Sequence, residues 1–240
     1  MNDEEFYVGY FPKAPAGAGR FVQRAAVALM GLGVVCAVLL VVGEQPFAES
    51  SFEYQKYHAY EGEVVAWPYP MLLTEEGRYL LVAEGKHGAG AAVRALDGRR
   101  VALEGALIRR GADQMLEVRA GTVRDVGAAR GGASVVDLGG VTLRGEIVDS
   151  KCYLGVMNPG NGKVHRDCAA RCISGGVPPA FLARDGAGAP RVLLLTGLDS
   201  RALGREILDY VGEPVRIRGR LARVAAQLVL QAEPRDIRRE

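Results

Sequence analysis

Tryptophan and histidine are nearly missing from this chain of 240 residues, with one of the first and three of the second. Net charge is nearly missing too. The 30 basic and 28 acidic side chains leave only +2. Because the two signs are interspersed, no basic tract offers the footprint that nucleic acid requires. The chain also lacks a nucleophile elbow, a phosphate-cradling glycine loop, an HExxH helix and a CxxCH attachment, and so carries no nucleotide or c-type haem signature. The glycines of "GAGAAVRALDG" follow no strand–helix alternation and read as a turn. With 49% apolar and 24% charged residues the chain is compositionally globular, long enough for one large or two small domains.

Long hydrophobic runs are scarce as well, with a single exception. From Ala25 to Val42, "AAVALMGLGVVCAVLLVV" has no charged or hydrogen-bonding polar side chain. At about 1.5 Å per residue it nearly crosses a hydrocarbon core about 30 Å thick. A cleavable signal peptide has a shorter apolar core and an acid-free lead, whereas Asp3, Glu4 and Glu5 stand here. Residues 25–43 therefore read as a retained single-pass helix. Lys13, Arg20 and Arg24 precede it and Glu44 and Glu49 follow it, which predicts a cytoplasmic tail (1–24) and a periplasmic remainder, anchored in a bacterial inner membrane. Cys36, within the run, reads as a small apolar residue.

Beyond a tether (44–54) the sequence repeats itself weakly. "YEGEVVAWPYPMLL" has a counterpart in "LRGEIVDSKC", and "LDGRRVALEGAL" has one in "VGEPVRIRGRLA". Val101, Leu103, Gly105 and Leu107 alternate with other residues, as do Val215, Ile217, Gly219 and Leu221, the period of half-buried strands. The glycines recur where a strongly bent strand needs them. "SRALGREILDYVG" reads as a helix between Ser200 and Gly212. Three strands, a helical piece and two strands make the order of a small OB-like barrel. The expected fold is mainly β: the N-terminal transmembrane helix, a first OB-like barrel (55–128), a glycine-rich linker (129–140) and a second barrel (141–236) with a short Cys/His-bearing helix inserted.

Three of the four cysteines lie in that insert, "DSKCYLGVMNPGNGKVHRDCAARC". If "HRDCAARC" is helical, His165, Cys168 and Cys172 share one face, and Cys152 can return to it across the loop. Three thiolates and an imidazole suit a tetrahedral zinc ion, and soft sulfur donors also suit copper. Two other chemistries use the same atoms. A disulfide from Cys152 to Cys168 or Cys172 closes a loop of about 15 to 20 residues, worth roughly 3 kcal/mol, and leaves one thiol over. Alternatively the CxxxC pair, Cys168 and Cys172, exchanges disulfides or passes copper. His58 and His87 have no such company and read as surface residues.

The segment "GEIVDSKC...HRDCAARCISGGVPPAFLARD" resembles a group of small, largely uncharacterised exported bacterial proteins. They share G-x-(I/V)-x-D-x-x-C, a loop, HxxCxxxC, a glycine and an OB-like barrel. The resemblance covers about Leu143 to Ala232 and rests on Asp149, Cys152, His165, Cys168, Cys172 and Gly176. It implies an exported barrel with a Cys/His cluster and brings no activity with it. The anchor and the cysteine-free first barrel depart from the pattern.

Aromatic docking points are sparse: Trp67 and Tyr69 in "AWPYPMLL", and Phe6, Tyr7, Tyr10 and Phe11 in the lead. The whole reads as an accessory or assembly component beside an integral-membrane redox or respiratory complex, not a stand-alone enzyme. A thiol-redox or copper-transfer protein and a passive scaffold are the alternatives. The retained anchor predicts that carbonate washing leaves the chain in the membrane pellet and that a reporter fused after Glu240 is active outside the cytoplasm. A soluble product beginning near Glu44 would show a cleaved leader instead.

Overall fold

The computed structural model describes residues 15–44, 50–129, 131, 134–184 and 190–240. It divides into two units, Met1–Phe47 and Ala48–Glu240. The expected docking residues Phe6, Tyr7, Tyr10 and Phe11 lie outside the described residues.

The first unit holds helix α1, Ala16–Gly43, none of whose side chains is buried. Apolar residues exposed all round suit a helix without a protein core to face. Its length and composition suffice to cross a membrane, a property that an anchor near the amino terminus shares with an export signal.

The second unit is two closed barrels in tandem. The first contains β2 (His58–Val65), β3 (Met71–Leu73), β4 (Arg78–Ala83), the short helix α2 (Gly90–Arg94), β5 (Arg99–Arg110) and β6 (Asp113–Val118), with β1 (Ser50–Phe52) and β7 (Arg124–Ala128) added on β5. Strand β2 pairs with β3, β3 with β4, β4 in parallel with β6, β6 with β5, and β5 closes the ring on β2. The second barrel repeats this circuit. Its strands are β8 (Val135–Asp149), β9 (Pro179–Ala183), β10 (Arg191–Thr196), β11 (Pro214–Val224) and β12 (Gln227–Gln231). The pairings run β8–β9, β9–β10, β10–β12 in parallel, β12–β11 and β11–β8, with β13 (Ile237–Arg239) on the outside of β11. Helix α3 (Arg166–Ser174) lies between β8 and β9.

The long strands follow the alternation seen in the sequence. Val101 and Leu103 fill the first barrel, and Val215 and Ile217 fill the second. A Cβ at Gly219 would lie 2.3 Å from the Gln231 carbonyl oxygen, so the close crossing of β11 and β12 admits only glycine there.

Two elements differ from expectation. Only Arg205–Tyr210 of the expected helix coils, as a 3₁₀ turn. Ser200 has φ +63°, outside the range of an N-cap, and the Leu203 amide is diverted to the Tyr69 hydroxyl at 3.2 Å. Strand β8 begins at Val135, inside the stretch read as linker, because the long β11 pairs it out to Val224 across a bulge at Leu221 and Ala222.

Between the barrels lies a third core. Val65, Tyr69, Met71, Leu80, Ile108 and Met115 of the first barrel pack with Val148, Cys152, Tyr153, Leu154, Leu182 and Leu194 of the second. Its polar pin is Tyr69, which donates to the Leu195 carbonyl at 2.7 Å and accepts from the Leu203 amide. Tyr69→Phe leaves both backbone groups buried without that partner. It is expected to cost about 1–3 kcal/mol, read as a lower denaturation midpoint of the detergent-solubilised chain.

Candidate metal centre at the joint of the barrels

The insert leaves the second barrel at the end of β8, where Asp149 is fully buried. Its Oδ1 accepts the Cys152 amide at 2.8 Å, which caps the tight turn Cys152–Val156, and its Oδ2 lies 3.0 Å from His165 Nε2. The chain returns through a 3₁₀ turn at Lys163–His165 into α3. Cys168 and Cys172, one turn apart on that helix, face Cys152. The Cys152 sulfur is 4.0 Å from each of the other two.

Asp149, Cys152, His165, Cys168 and Cys172 are thus brought together, in a different arrangement from the expected tetrahedron. The donors form two overlapping triads, Cys152–Cys168–Cys172 and Asp149–Cys152–His165, within each of which all donor atoms lie within 4.8 Å of one another. His165 precedes α3 instead of riding on it, and its ring is held by Asp149. The imidazole therefore belongs with the carboxylate, and Cys152 is shared. All the cysteines are free. Sulfurs 4.0 Å apart stand at about twice the bonded distance of 2.05 Å, so the structural disulfide expected as an alternative is not present.

A sixth group comes from the first barrel. Lys86 Nζ lies 2.8 Å from the Cys168 sulfur and 3.6 Å from that of Cys172. Two contacts fix the turn that carries it. The Gly88 amide donates to the Gly175 carbonyl at 3.1 Å. A Cβ at Gly175 would lie only 1.9 Å from the Lys86 carbonyl oxygen. From the other side Lys151, 2% exposed, donates to the Ala83 and Gly85 carbonyls at 2.9 and 2.6 Å and pairs with the buried Glu117.

The electrostatics follow from these neighbours. The hydrogen bond to Cys172, then burial and the Asp149 carboxylate, push the Cys152 thiol up. The same bond lowers Cys172, with help from the Lys86 ammonium. Cys168, as acceptor, raises the Lys86 amine.

No family model, curated protein or solved structure matches this chain. The site is therefore read from its own geometry.

The other sequence-predicted positions fare unevenly. Tyr69 is 2% exposed and spent on the barrel joint, so it presents no docking surface, because its hydroxyl finds its partners inside. Trp67, 55% exposed, remains on the surface. His58 pairs with Glu53 at 2.7 Å, and His87 is exposed. Gly176 turns the chain out of α3 with φ +92°, a conformation that favours glycine. Sequence reading missed Lys86 and Lys151. Lys151 carries a local signal, standing between Asp149 and Cys152, whereas Lys86 lies 82 residues from the thiol it touches.

Removing the Lys151 ammonium leaves Glu117 as an uncompensated buried charge. Lys151→Met is expected to cost about 3–5 kcal/mol. Chemical denaturation should show most of the loss recovered in the double variant Lys151→Met, Glu117→Leu.

Proposed function

We propose that this chain is a membrane-anchored, extracytoplasmic metal-binding protein that serves a membrane redox or respiratory complex as an accessory or assembly component. The observation that carries the metal reading is the spacing of the three sulfurs. With metal–sulfur bonds of about 2.3 Å, tetrahedral ligands stand about 3.8 Å apart and trigonal ones about 4.0 Å. The Cys152 sulfur is 4.0 Å from both partners. Thiolates at this spacing suit zinc or copper(I).

Cys152, Cys168 and Cys172 would hold the ion. Asp149 fixes the Cys152 backbone and orients His165 beside it, the carboxylate–histidine pairing that commonly supports a metal ligand. Such a bound ion would supply structural closure of the insert or, as copper, a cargo to be passed on. The apolar run with a basic leading flank supports the anchored, extracytoplasmic placement. The exposed Trp67 supports a protein partner, and an integral-membrane one fits an anchored chain.

The test is metal content and free-thiol count of the full chain purified in detergent without chelator. About one ion per chain is expected, and Cys152→Ser should abolish it. His165→Ala should keep the stoichiometry while weakening affinity about 10- to 100-fold. Full metal content in Cys152→Ser would overturn the reading.

A further inference from the structure

The three sulfurs are not equivalent. Cys152 and Cys172 are buried, 4% and 1% exposed, while Cys168 is partly open to solvent and meets the Lys86 ammonium at 2.8 Å. A partly exposed thiol beside a cation is the environment in which a cysteine reacts with oxidants. A second thiol 4.0 Å away stands where a resolving cysteine must stand.

We propose that Cys168 is a peroxide-reactive thiol, that Cys152 resolves it, and that Lys86, reaching across from the first barrel, is its positioning residue. In the first step the Cys168 sulfur attacks one peroxide oxygen. The O–O bond breaks, Cys168 becomes a sulfenic acid, and the other oxygen takes the proton given up by the Cys168 thiol and leaves as water or, from an organic peroxide, as the alcohol. In the second step the Cys152 sulfur attacks the Cys168 sulfur. The S–O bond breaks, the sulfenic oxygen departs as water with the Cys152 proton, and a Cys152–Cys168 disulfide remains. The two sulfurs together lose two electrons and the peroxide gains them.

The choice of Cys152 over Cys172 follows from the elements that carry them. Cys168 and Cys172 are fixed one turn apart on the same helix, where a bridge is strained. Cys152 sits on a separate turn broken at Gly155. A rotamer change sweeps a sulfur through roughly 3 Å, more than the closing distance of about 2 Å. The bond formed consumes two of the three sulfurs described above, so oxidation would also remove the capacity to hold an ion. The reaction itself depends only on the positions of the sulfurs and Lys86.

The test uses the full chain carrying Cys36→Ser, in detergent, stripped with chelator and treated with stoichiometric hydrogen peroxide. Intact mass should fall by two hydrogens, and peptide mapping should join Cys152 to Cys168. Cys172→Ser should still form this bond. Cys152→Ser should instead leave a sulfenic acid at Cys168 that dimedone captures. Lys86→Met should slow loss of the Cys168 thiol about tenfold or more, with Lys86→Arg restoring it and both variants unfolding at the wild-type midpoint. A Cys168–Cys172 bond as the main product, a capture site other than Cys168, or an unchanged rate in Lys86→Met would overturn the proposal. Because the protein is free of metal before peroxide is added, none of these outcomes depends on whether the triad binds an ion.

Discussion

The joint between the barrels depends on one buried ammonium. Lys151 satisfies its three donors with the Glu117 carboxylate and the carbonyls of Ala83 and Gly85, all from the first barrel, while its own backbone lies two residues past Asp149 in the second. A cation taken out of water needs such complete pairing, or desolvation outweighs the attraction. The arrangement thereby specifies where the turn after β4 must lie. That turn carries Lys86, and so the position of the ammonium against Cys168 is inherited from Lys151.

The thiol cluster is consequently a property of both barrels. The second barrel alone supplies the sulfurs, Asp149 and His165. The first supplies the facing cation and, through Val65, Met71, Ile108 and Met115, much of the apolar packing around the insert. Burial raises the cost of a thiolate, and the neighbours divide that cost unequally. The Cys172 hydrogen bond, burial and Asp149 push the Cys152 thiol up, while the Cys152 hydrogen bond and Lys86 bring Cys172 down. Three chemically identical residues thus acquire three environments from the elements around them.

Much of this was legible in the residues, and the reasons for the rest are specific. The alternation at Val101 to Leu107 and Val215 to Leu221 marks the strands because each faces a core on one side. The repeat marks two barrels because the same circuit is folded twice. The spacing of Cys168 and Cys172 places both on one helical face. The histidine does not ride on the helix because it ends the 3₁₀ turn Lys163–His165 that precedes α3, and Asp149 takes its ring. Tyr69 reads as a surface aromatic, since nothing local announces that its hydroxyl will meet Leu195 and Leu203, more than a hundred residues away. Lys86 is hidden for the same reason. Its role comes from tertiary packing of one copy on the other, which hydrophobic period and ligand spacing do not encode.

The two copies meet through corresponding parts. The connection between the first and second strands of copy one contains Tyr69, which reaches the end of β10 in copy two. The same connection in copy two is the cysteine insert, whose turn at Cys152–Val156 packs on β1, β5 and β6 of copy one. After the third strand each copy makes an isolated bridge, Val82 to Gly88 in one and Thr196 to Ala202 in the other. The backbone just there bonds across the joint in both directions: Gly88 to Gly175, and Leu203 to Tyr69. A barrel whose first connection is "AWPYP" and one whose first connection carries a helix therefore embrace by equivalent surfaces. Lengthening that connection in one copy places its new side chains against the other barrel instead of in solvent. An exposed insert of this length would leave its backbone and thiols to water, whereas here Asp149, Lys151 and Gly175 find their polar partners at the joint. The site lies at the joint because that is where a long first connection finds a second wall.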